Sequence, residues 1–134
     1  MIGYATMVCD LFHYGHLNFL KNAKERCDYL IIGLHSDKDV KSYKRLPILN
    51  IDERRKVLEG CKYIDEIIMN APLKIKEEFM DSINADVFIY AANNIEEDEK
   101  MKNYFDINES RLIKIQYTNT ISTTQIINRV LSRE

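Results

Sequence analysis

The stretch CDLFHYGHLNFLKNAKERCDYLIIGLHSD, residues Cys9–Asp37, contains the pattern that decides the fold. Apolar residues recur at helical spacing within residues 15–27, with mostly polar residues between them, which predicts an amphipathic helix. These apolar residues are Leu17, Leu20, Ala23 and Cys27. The continuous apolar run that follows, within residues 28–36, is typical of a strand covered on both faces.

The same alternation extends in both directions along the chain. The expected strands are residues 1–8, 28–36, 63–69, 85–91 and 111–116. The expected helices are residues 15–27, 51–62, 72–84, 95–105 and 122–134, and residues 37–50 are expected to form a loop. Alternating strands and helices predict an α/β, Rossmann-like, doubly wound parallel sheet of five strands with helices on both faces. No linker or repeat interrupts the pattern, so residues 1–134 are predicted to form a single domain.

Composition excludes several classes of protein. The 134 residues carry a formal net charge of -2, which gives no broad basic surface for nucleic acid. No apolar run approaches the roughly 18 residues that span a bilayer, and the N-terminus does not resemble a signal peptide, so a cytoplasmic protein is expected. Cys9, Cys27 and Cys61 are too widely spaced for a zinc knuckle or a disulfide framework, and are predicted to be core residues.

Two histidines, His13 and His16, lie at the junction between the first strand and the first helix, with Gly15 between them. They could be structural residues or metal ligands, with His35 at the end of the next strand as a conceivable third ligand. Their position favours a third interpretation. A helix N-terminus has unpaired N–H groups and a positive dipole end, and two imidazoles beside it would complete a phosphate site.

HYGH, residues 13–16, matches the HxGH signature of the nucleotidyltransferase superfamily. The surrounding stretch resembles the cytidylyltransferase branch, which includes the glycerol-3-phosphate, phosphocholine and phosphoethanolamine enzymes. KYIDEII, residues 62–68, and ISTTQII, residues 121–127, resemble two further motifs of that branch. The resemblance extends over nearly the whole chain and keeps the order of the motifs.

The resemblance implies that CTP reacts with a small phosphorylated acceptor to give a CDP-linked product and pyrophosphate. The catalytic residues it implies are His13, His16 and Lys44, the last in the stretch YKRLP. The nucleotide-binding residues it implies are Val8, Cys9, Asp10, Gly15, Arg54, Lys62, Ile121, Ser122 and Thr123. Asp10 is also expected to organise its loop. Mg²⁺ would accompany CTP, held mostly by the triphosphate and water, with no protein metal site expected.

Relatives in this branch are commonly homodimers, so the resemblance also implies a homodimer with Lys62 near the two-fold axis. CTP and the acceptor are the expected small-molecule partners, with no nucleic acid and no membrane. Two other functions remain open at this point. HxGH alone is shared with adenylyltransferases, and a catalytically weak nucleotide-binding module is also compatible with the sequence.

Four departures from the family pattern distinguish this chain. Residues 7–10 read MVCD where the family has G-x-F-D, and Lys62 replaces an arginine. Residues 117–120 read YTNT where the family has R-T-E-G, which removes an arginine that holds the triphosphate. Residues 91–94 read AANN instead of an acidic segment. Ala92 and Asn93 are therefore expected at the acceptor, which the missing acids suggest is phosphoethanolamine, a phosphonate or a phosphorylated amino-acid amide rather than phosphocholine.

Overall fold

The computed structural model describes residues 1–117 and 121–133. Its strands are β1 Ile2–Met7, β2 Tyr29–Leu34, β3 Glu66–Ile68, β4 Ile75–Lys76, β5 Val87–Ala91, β6 Phe105–Asp106 and β7 Leu112–Ile115. Its α-helices are α1 Tyr14–Lys24, α2 Asp37–Tyr43, α3 Ile51–Leu58, α4 Glu77–Ser82, α5 Ile95–Lys102 and α6 Thr123–Leu131. A single 3₁₀ turn, Glu109–Arg111, leads into β7.

The central sheet has the predicted five parallel strands, in the order β3-β2-β1-β5-β7. From β1, the chain adds β2 and then β3 on one side of the sheet. It then crosses over and adds β5 and β7 on the other side of β1. The strand order therefore reverses between β1 and β5, where a crevice opens at the carboxyl ends of the strands. The predicted Rossmann-like fold is confirmed.

Two apolar layers cover the sheet because strand side chains alternate between its faces. In β5, Val87 and Ile89 pack into one layer, with residues of α1 and α3, while Phe88 and Tyr90 pack into the other, with residues of α4 and α5. Both faces are thus buried, which explains the continuous apolar runs in β2 and β5.

Three predicted segments differ from the structure because capping and tertiary contacts override the apolar pattern. Residues 37–50 are not all loop: α2 forms because the Ser36 side chain accepts a hydrogen bond from the Asp39 N–H and because Val40 is buried. The helix predicted over 72–84 begins only at Glu77 in α4. Before it, β4 pairs with β6 in a separate two-stranded ribbon, which also ends the helix predicted over 95–105 at Lys102.

The cysteines and the acidic segment behave largely as predicted. Cys9 is buried in the core, and Cys27 and Cys61 are half-buried against it, all as free thiols. The acidic helix α5 contains no buried residue. Within residues 1–117 and 121–133, no helix combines the length and the apolar character needed to cross a bilayer.

Candidate active site

A cleft of about 590 Å³ opens at the carboxyl ends of β1 and β5, where the strand order reverses. Three segments surround it: the N-terminus of α1, the N-terminus of α6 and the segment that follows α2. The predicted site residues that line it are His13, His16, Lys44, Val8, Cys9, Asp10, Gly15, Ile121, Ser122 and Thr123. The fold therefore brings together residues from both ends of the chain.

The two histidines form the N-terminal cap of α1. His13 is the N-cap residue, and its Nδ1 accepts a hydrogen bond from the Gly15 N–H at 3.1 Å. His16 Nδ1 accepts from the His13 N–H at 3.2 Å, which closes a capping box made of imidazoles. Because both Nδ1 atoms accept, each neutral ring carries its proton on Nε2. Both histidines can then donate hydrogen bonds through Nε2.

The local packing keeps both imidazoles neutral. Their rings stack with centroids 3.8 Å apart, and Phe12 stacks on His16 at 5.7 Å. Burial is the main cause that lowers the pKa of His16 to about 3, and the neighbouring His13 and Lys44 contribute to the same shift. Burial also lowers the pKa of His13. At neutral pH, the site therefore contains two fixed, uncharged hydrogen-bond donors.

Close packing at this N-terminus leaves little room for a side chain at Gly15. A Cβ atom at Gly15 would lie 2.9 Å from His13 Cε1 and 3.0 Å from the Ile121 carbonyl oxygen. The missing side chain lets the His13 ring and the segment before α6 approach α1 together.

The N-terminus of α6 meets the histidines across the cleft. Ser122 is its N-cap, and its hydroxyl accepts from the Gln125 N–H. The Thr123 hydroxyl donates to the Asp10 carbonyl at 2.8 Å and lies 3.4 Å from His13 Nε2. Two helix N-termini thus converge on one cleft, and each presents unpaired N–H groups to an anion. Thr118, Asn119 and Thr120, singled out in the sequence, lie outside the described residues.

The opposite wall is the basic loop, residues 44–50, which follows α2. Lys44 and Arg45 both line the cleft. Lys44 Nζ lies 6.0 Å from the centroid of the Tyr43 ring. Desolvation lowers the pKa of Lys44, and the adjacent Arg45 cation lowers it further. Two neighbouring cations with few nearby anions form a site that attracts phosphate.

Asp10 holds the basic loop in place through hydrogen bonds to its backbone. Its carboxylate is buried and accepts hydrogen bonds from the Ile48 N–H at 2.8 Å and the Leu49 N–H at 2.9 Å. One carboxylate thereby fixes two successive backbone amides, as expected for a residue that organises its loop.

Arg54 is fully buried and does not line the cleft. Its guanidinium donates to the carbonyls of Val8 at 2.7 Å, His35 at 3.0 Å and Leu49 at 3.1 Å, and to the Asp37 carboxylate at 2.7 Å. The expectation that Arg54 binds nucleotide is corrected accordingly: all three guanidinium nitrogens are engaged with the protein. Arg54 instead joins the ends of β1 and β2 to the basic loop.

The segment between β1 and α1 is strained. Cys9, with φ 56°, and Leu11, with φ 50°, adopt the left-handed backbone conformation that non-glycine residues rarely enter. Such residues cost about 1–3 kcal/mol each and persist where surrounding contacts over-determine them. Asp10 and Arg54 supply those contacts.

Three other predicted residues do not line the cleft. Lys62 is exposed beyond α3, with its ammonium 5.3 Å from the centroid of the Tyr63 ring. Ala92 is buried in the layer beside α4 and α5, and Asn93 is exposed. Ala92 and Asn93 thus do not line this cleft, and their contact with the acceptor stays a prediction. From this part of the chain, Tyr90 and Ala91 line the cleft.

An aromatic wall, formed by Phe88, Tyr90, Phe105 and Tyr117, was not predicted from the sequence. Phe105 packs 4.9 Å from Phe88 and 5.0 Å from Tyr90 between ring centroids. These residues are scattered along the chain, and only the alternation of β5 places Phe88 and Tyr90 on the same face. Arg45 was also missed, although its position next to Lys44 was a usable signal.

The described residues are a poor match to a protein-bound metal. They contain no group of three or more histidine, cysteine, aspartate or glutamate side chains able to hold an ion. Both oxygens of Asp10 already accept backbone hydrogen bonds. A Mg²⁺ ion that arrives with a triphosphate would take its ligands chiefly from phosphate oxygens and water.

The fold and the site define a doubly wound α/β protein whose cleft at the topological switch point is lined by two helix N-termini and by Lys44 and Arg45. Residues 8–129 match the family described as cytidylyltransferase-like, and the chain belongs to this family. It is 34% identical over 123 residues to the ethanolamine-phosphate cytidylyltransferase of Dictyostelium discoideum, covering 91% of this chain and 34% of that protein. This chain thus spans about one third of that relative's length.

Other relatives agree with this placement. A probable choline-phosphate cytidylyltransferase of Schizosaccharomyces pombe is 32% identical over 131 residues, covering 96% of this chain and 36% of that protein. A solved lipopolysaccharide core biosynthesis protein from Thermoplasma volcanium aligns with a TM-score of 0.71 at 17% identity, covering 89% of this chain and 98% of the other. This likeness concerns the fold alone.

Proposed function

We propose that this chain transfers the cytidylyl group of CTP to a small phosphorylated acceptor and releases pyrophosphate. The observation that carries the proposal is the tautomer of the paired histidines. Because backbone N–H groups occupy both Nδ1 atoms, both Nε2–H groups are left as donors. Membership of the cytidylyltransferase-like family and the names of the relatives support the same reaction.

In this reaction, a phosphate oxygen of the acceptor attacks the α-phosphorus of CTP in line. The new P–O bond forms as the bond to pyrophosphate breaks, with no covalent enzyme intermediate. His13 and His16 would donate from Nε2 to the non-bridging α-phosphate oxygens as negative charge develops there. Neutral donors already fixed by the helix backbone need no reorganisation during the reaction.

Lys44 would lie between the α-phosphate and the acceptor phosphate and bring two anions together. Ser122 and Thr123 would bind the β- and γ-phosphates through the N-terminus of α6. Mg²⁺ bound to the triphosphate would neutralise part of its charge. No step assigned to these side chains requires a proton transfer, since the attacking phosphate oxygen is already anionic.

Among acceptors, we favour phosphoethanolamine, with a phosphonate or a phosphorylated amino-acid amide as related candidates. Several relatives are named ethanolamine-phosphate cytidylyltransferases. In the aromatic wall, Phe88 and Tyr90 are buried, whereas the Tyr117 ring is exposed at the cleft, where it would attract a compact cation. The aromatic residues of this wall, rather than the predicted Ala92 and Asn93, are the ones we place beside the acceptor.

The test is pyrophosphate release with CTP or ATP against a panel of phosphoethanolamine, phosphocholine, glycerol 3-phosphate and 2-aminoethylphosphonate. Release with CTP and phosphoethanolamine is the expected result. Release only with ATP would make the chain an adenylyltransferase. Binding of CTP without product from any acceptor would make it a nucleotide-binding module.

We also propose a cytoplasmic homodimer in which Lys62 lies near the two-fold axis. The support is family membership together with the exposure of Lys62 and of the apolar Val57 nearby in the chain. Sedimentation velocity at micromolar concentration should give the mass of a dimer, and a Lys62→Glu variant should shift the equilibrium toward monomer. A wild-type protein that sediments as a monomer would contradict the proposal.

A further inference from the structure

We infer that Arg45 binds the terminal phosphates of the nucleoside triphosphate, reaching them from the basic loop rather than from the segment before α6. The inference rests on the proposed function, because it assumes a triphosphate in the cleft. It assigns a binding role to a residue that neither the sequence motifs nor the family pattern singles out.

The first argument is the balance of charge. A triphosphate carries several negative charges, whereas the cationic side chains that line the cleft among the described residues are Lys44 and Arg45. His13 and His16 are neutral at pH 7 because burial lowers both pKa values. Arg54 is buried and engaged with protein acceptors. If Lys44 serves the reacting phosphates, Arg45 is the cation left for the others.

The second argument is the composition of the segment that leads into α6. From Ile115 to Asn128 the sequence contains no lysine or arginine. The N-terminus of α6 can supply N–H groups and hydroxyls to phosphate, but no full positive charge of its own. A cation for this end of the cleft must therefore come from another part of the chain.

The third argument is the position of Arg45. Its Nη1 donates to the Thr124 hydroxyl at 3.2 Å, so its guanidinium already lies at the first turn of α6. Thr124 follows Ser122 and Thr123, the residues placed beside the β- and γ-phosphates. A guanidinium has five N–H donors, and the Thr124 hydroxyl is its hydrogen-bond partner among residues 1–117 and 121–133. The remaining donors have no hydrogen-bond partner among those residues, and a guanidinium can form a bidentate contact with phosphate.

Arg55, on the surface side of α3, differs from Arg45 in its ion pairs. Arg55 is paired with Glu59 and Asp52 on the protein surface, so its charge is already balanced. In the described part of the chain, no carboxylate forms an ion pair with Arg45. Mutual repulsion with Lys44, which contributes to the lowered pKa of Lys44, would be relieved by an anion. Arg55 is therefore a suitable control for the loss of one arginine outside the cleft.

The experiment is calorimetric titration of CTP and CMP into the wild type, Arg45→Gln and the control Arg55→Gln, with melting temperatures to verify folding. Arg45→Gln should weaken CTP binding about 10- to 100-fold, the loss expected for a charge-assisted bidentate contact, and CMP binding less than about 2-fold. Arg55→Gln should change neither. Inorganic tripolyphosphate should compete with CTP in the wild type and much less well in Arg45→Gln.

Arg45→Lys serves as a second variant and should retain part of the CTP affinity, because the charge remains but the fork is lost. An Arg45→Gln variant that keeps the wild-type ratio of CTP to CMP affinity would overturn the inference. That result would not contradict the proposed cytidylyl transfer. Equal losses for CTP and CMP would also overturn it. If the wild type binds ATP instead of CTP, the proposed function fails, and the same comparison with ATP and AMP still decides the role of Arg45.

Discussion

The two sides of the cleft position their functional groups in different ways. On one side, His13 and His16 are fixed directly by the backbone of α1, whose first N–H groups their own rings cap. On the other side, Lys44 and Arg45 project from an exposed loop whose backbone is held by the buried Asp10 and Arg54, and the Arg45 guanidinium also donates to the Thr124 hydroxyl. The histidine side should therefore tolerate little chemical change and depend little on other residues, whereas the loop side depends on Asp10 and Arg54, which hold the backbone of the loop.

The largest effect should come from removing the support of the loop side. Arg54→Ala leaves three backbone carbonyls and the Asp37 carboxylate without their partner, so the free energy of unfolding should fall by about 3–5 kcal/mol. Arg55→Ala, on the same helix but at the surface, should cost about 1 kcal/mol or less. Urea denaturation measures both. Equal losses in the two variants would show that the buried network does not hold the loop.

The next largest effect should come from the histidine side, with little change in stability. In His13→Asn and His16→Asn, the amide oxygen can replace Nδ1 as the capping acceptor, while the Nε2 donor is lost. We expect kcat to fall about 10²- to 10³-fold, with a change in unfolding free energy below about 1 kcal/mol. Steady-state kinetics and urea denaturation separate the two effects. A large loss of stability with kcat unchanged would show that the histidines act only as helix caps.

A pH dependence of stability should distinguish the two sides further. Burial lowers the pKa of His16 to about 3 from the value of 6.5 expected in the unfolded chain. Between these values the unfolded state binds more protons, so stability should be complete above pH 6.5 and should decrease as the pH falls. The slope from one histidine can reach about 1.4 kcal/mol per pH unit.

Urea denaturation at pH 7.5, 6.5, 5.5 and 4.5 tests this expectation. The slope should decrease in His16→Asn and persist in part, because burial also lowers the pKa of His35 to about 4. A slope identical to that of the wild type in His16→Asn would contradict the assignment of a buried, neutral His16.

The smallest effect should come from Gly15→Ala, which acts on the contact between the two helix N-termini. The new methyl group would contact the His13 ring and the Ile121 carbonyl, so the ring must move by a few tenths of an ångström. We expect about a 10-fold loss in kcat/KM, since catalytic donors need accurate placement. The free energy of unfolding should change by less than about 1 kcal/mol, because alanine favours the helix. Wild-type kcat/KM in this variant would show that the histidines tolerate displacement.

Sequence reasoning succeeded where function depends on local structure. The strand, the turn and the first helical turn around His13 and His16 are consecutive in sequence, so their geometry follows from propensity and spacing. The N-cap at Ser122 has the same local origin. It failed at Arg54, because an arginine near a phosphate site and an arginine buried beneath one have the same sequence pattern. It did not place Ala92 and Asn93 outside the lining of the cleft, because the end of β5 determines which residues face the core.

The sequence by itself determined the alternation of strands and helices, the parallel five-stranded sheet and the paired imidazoles at a helix N-terminus. These features depend on residues that are neighbours in the chain or recur with the period of a strand or a helix. Only the tertiary structure decided the rest: the ribbon of β4 and β6, the burial of Arg54, the aromatic wall and the contact of Arg45 with Thr124. Those depend on contacts between residues far apart in the chain, and their energies come from burial and pairing that no local pattern encodes.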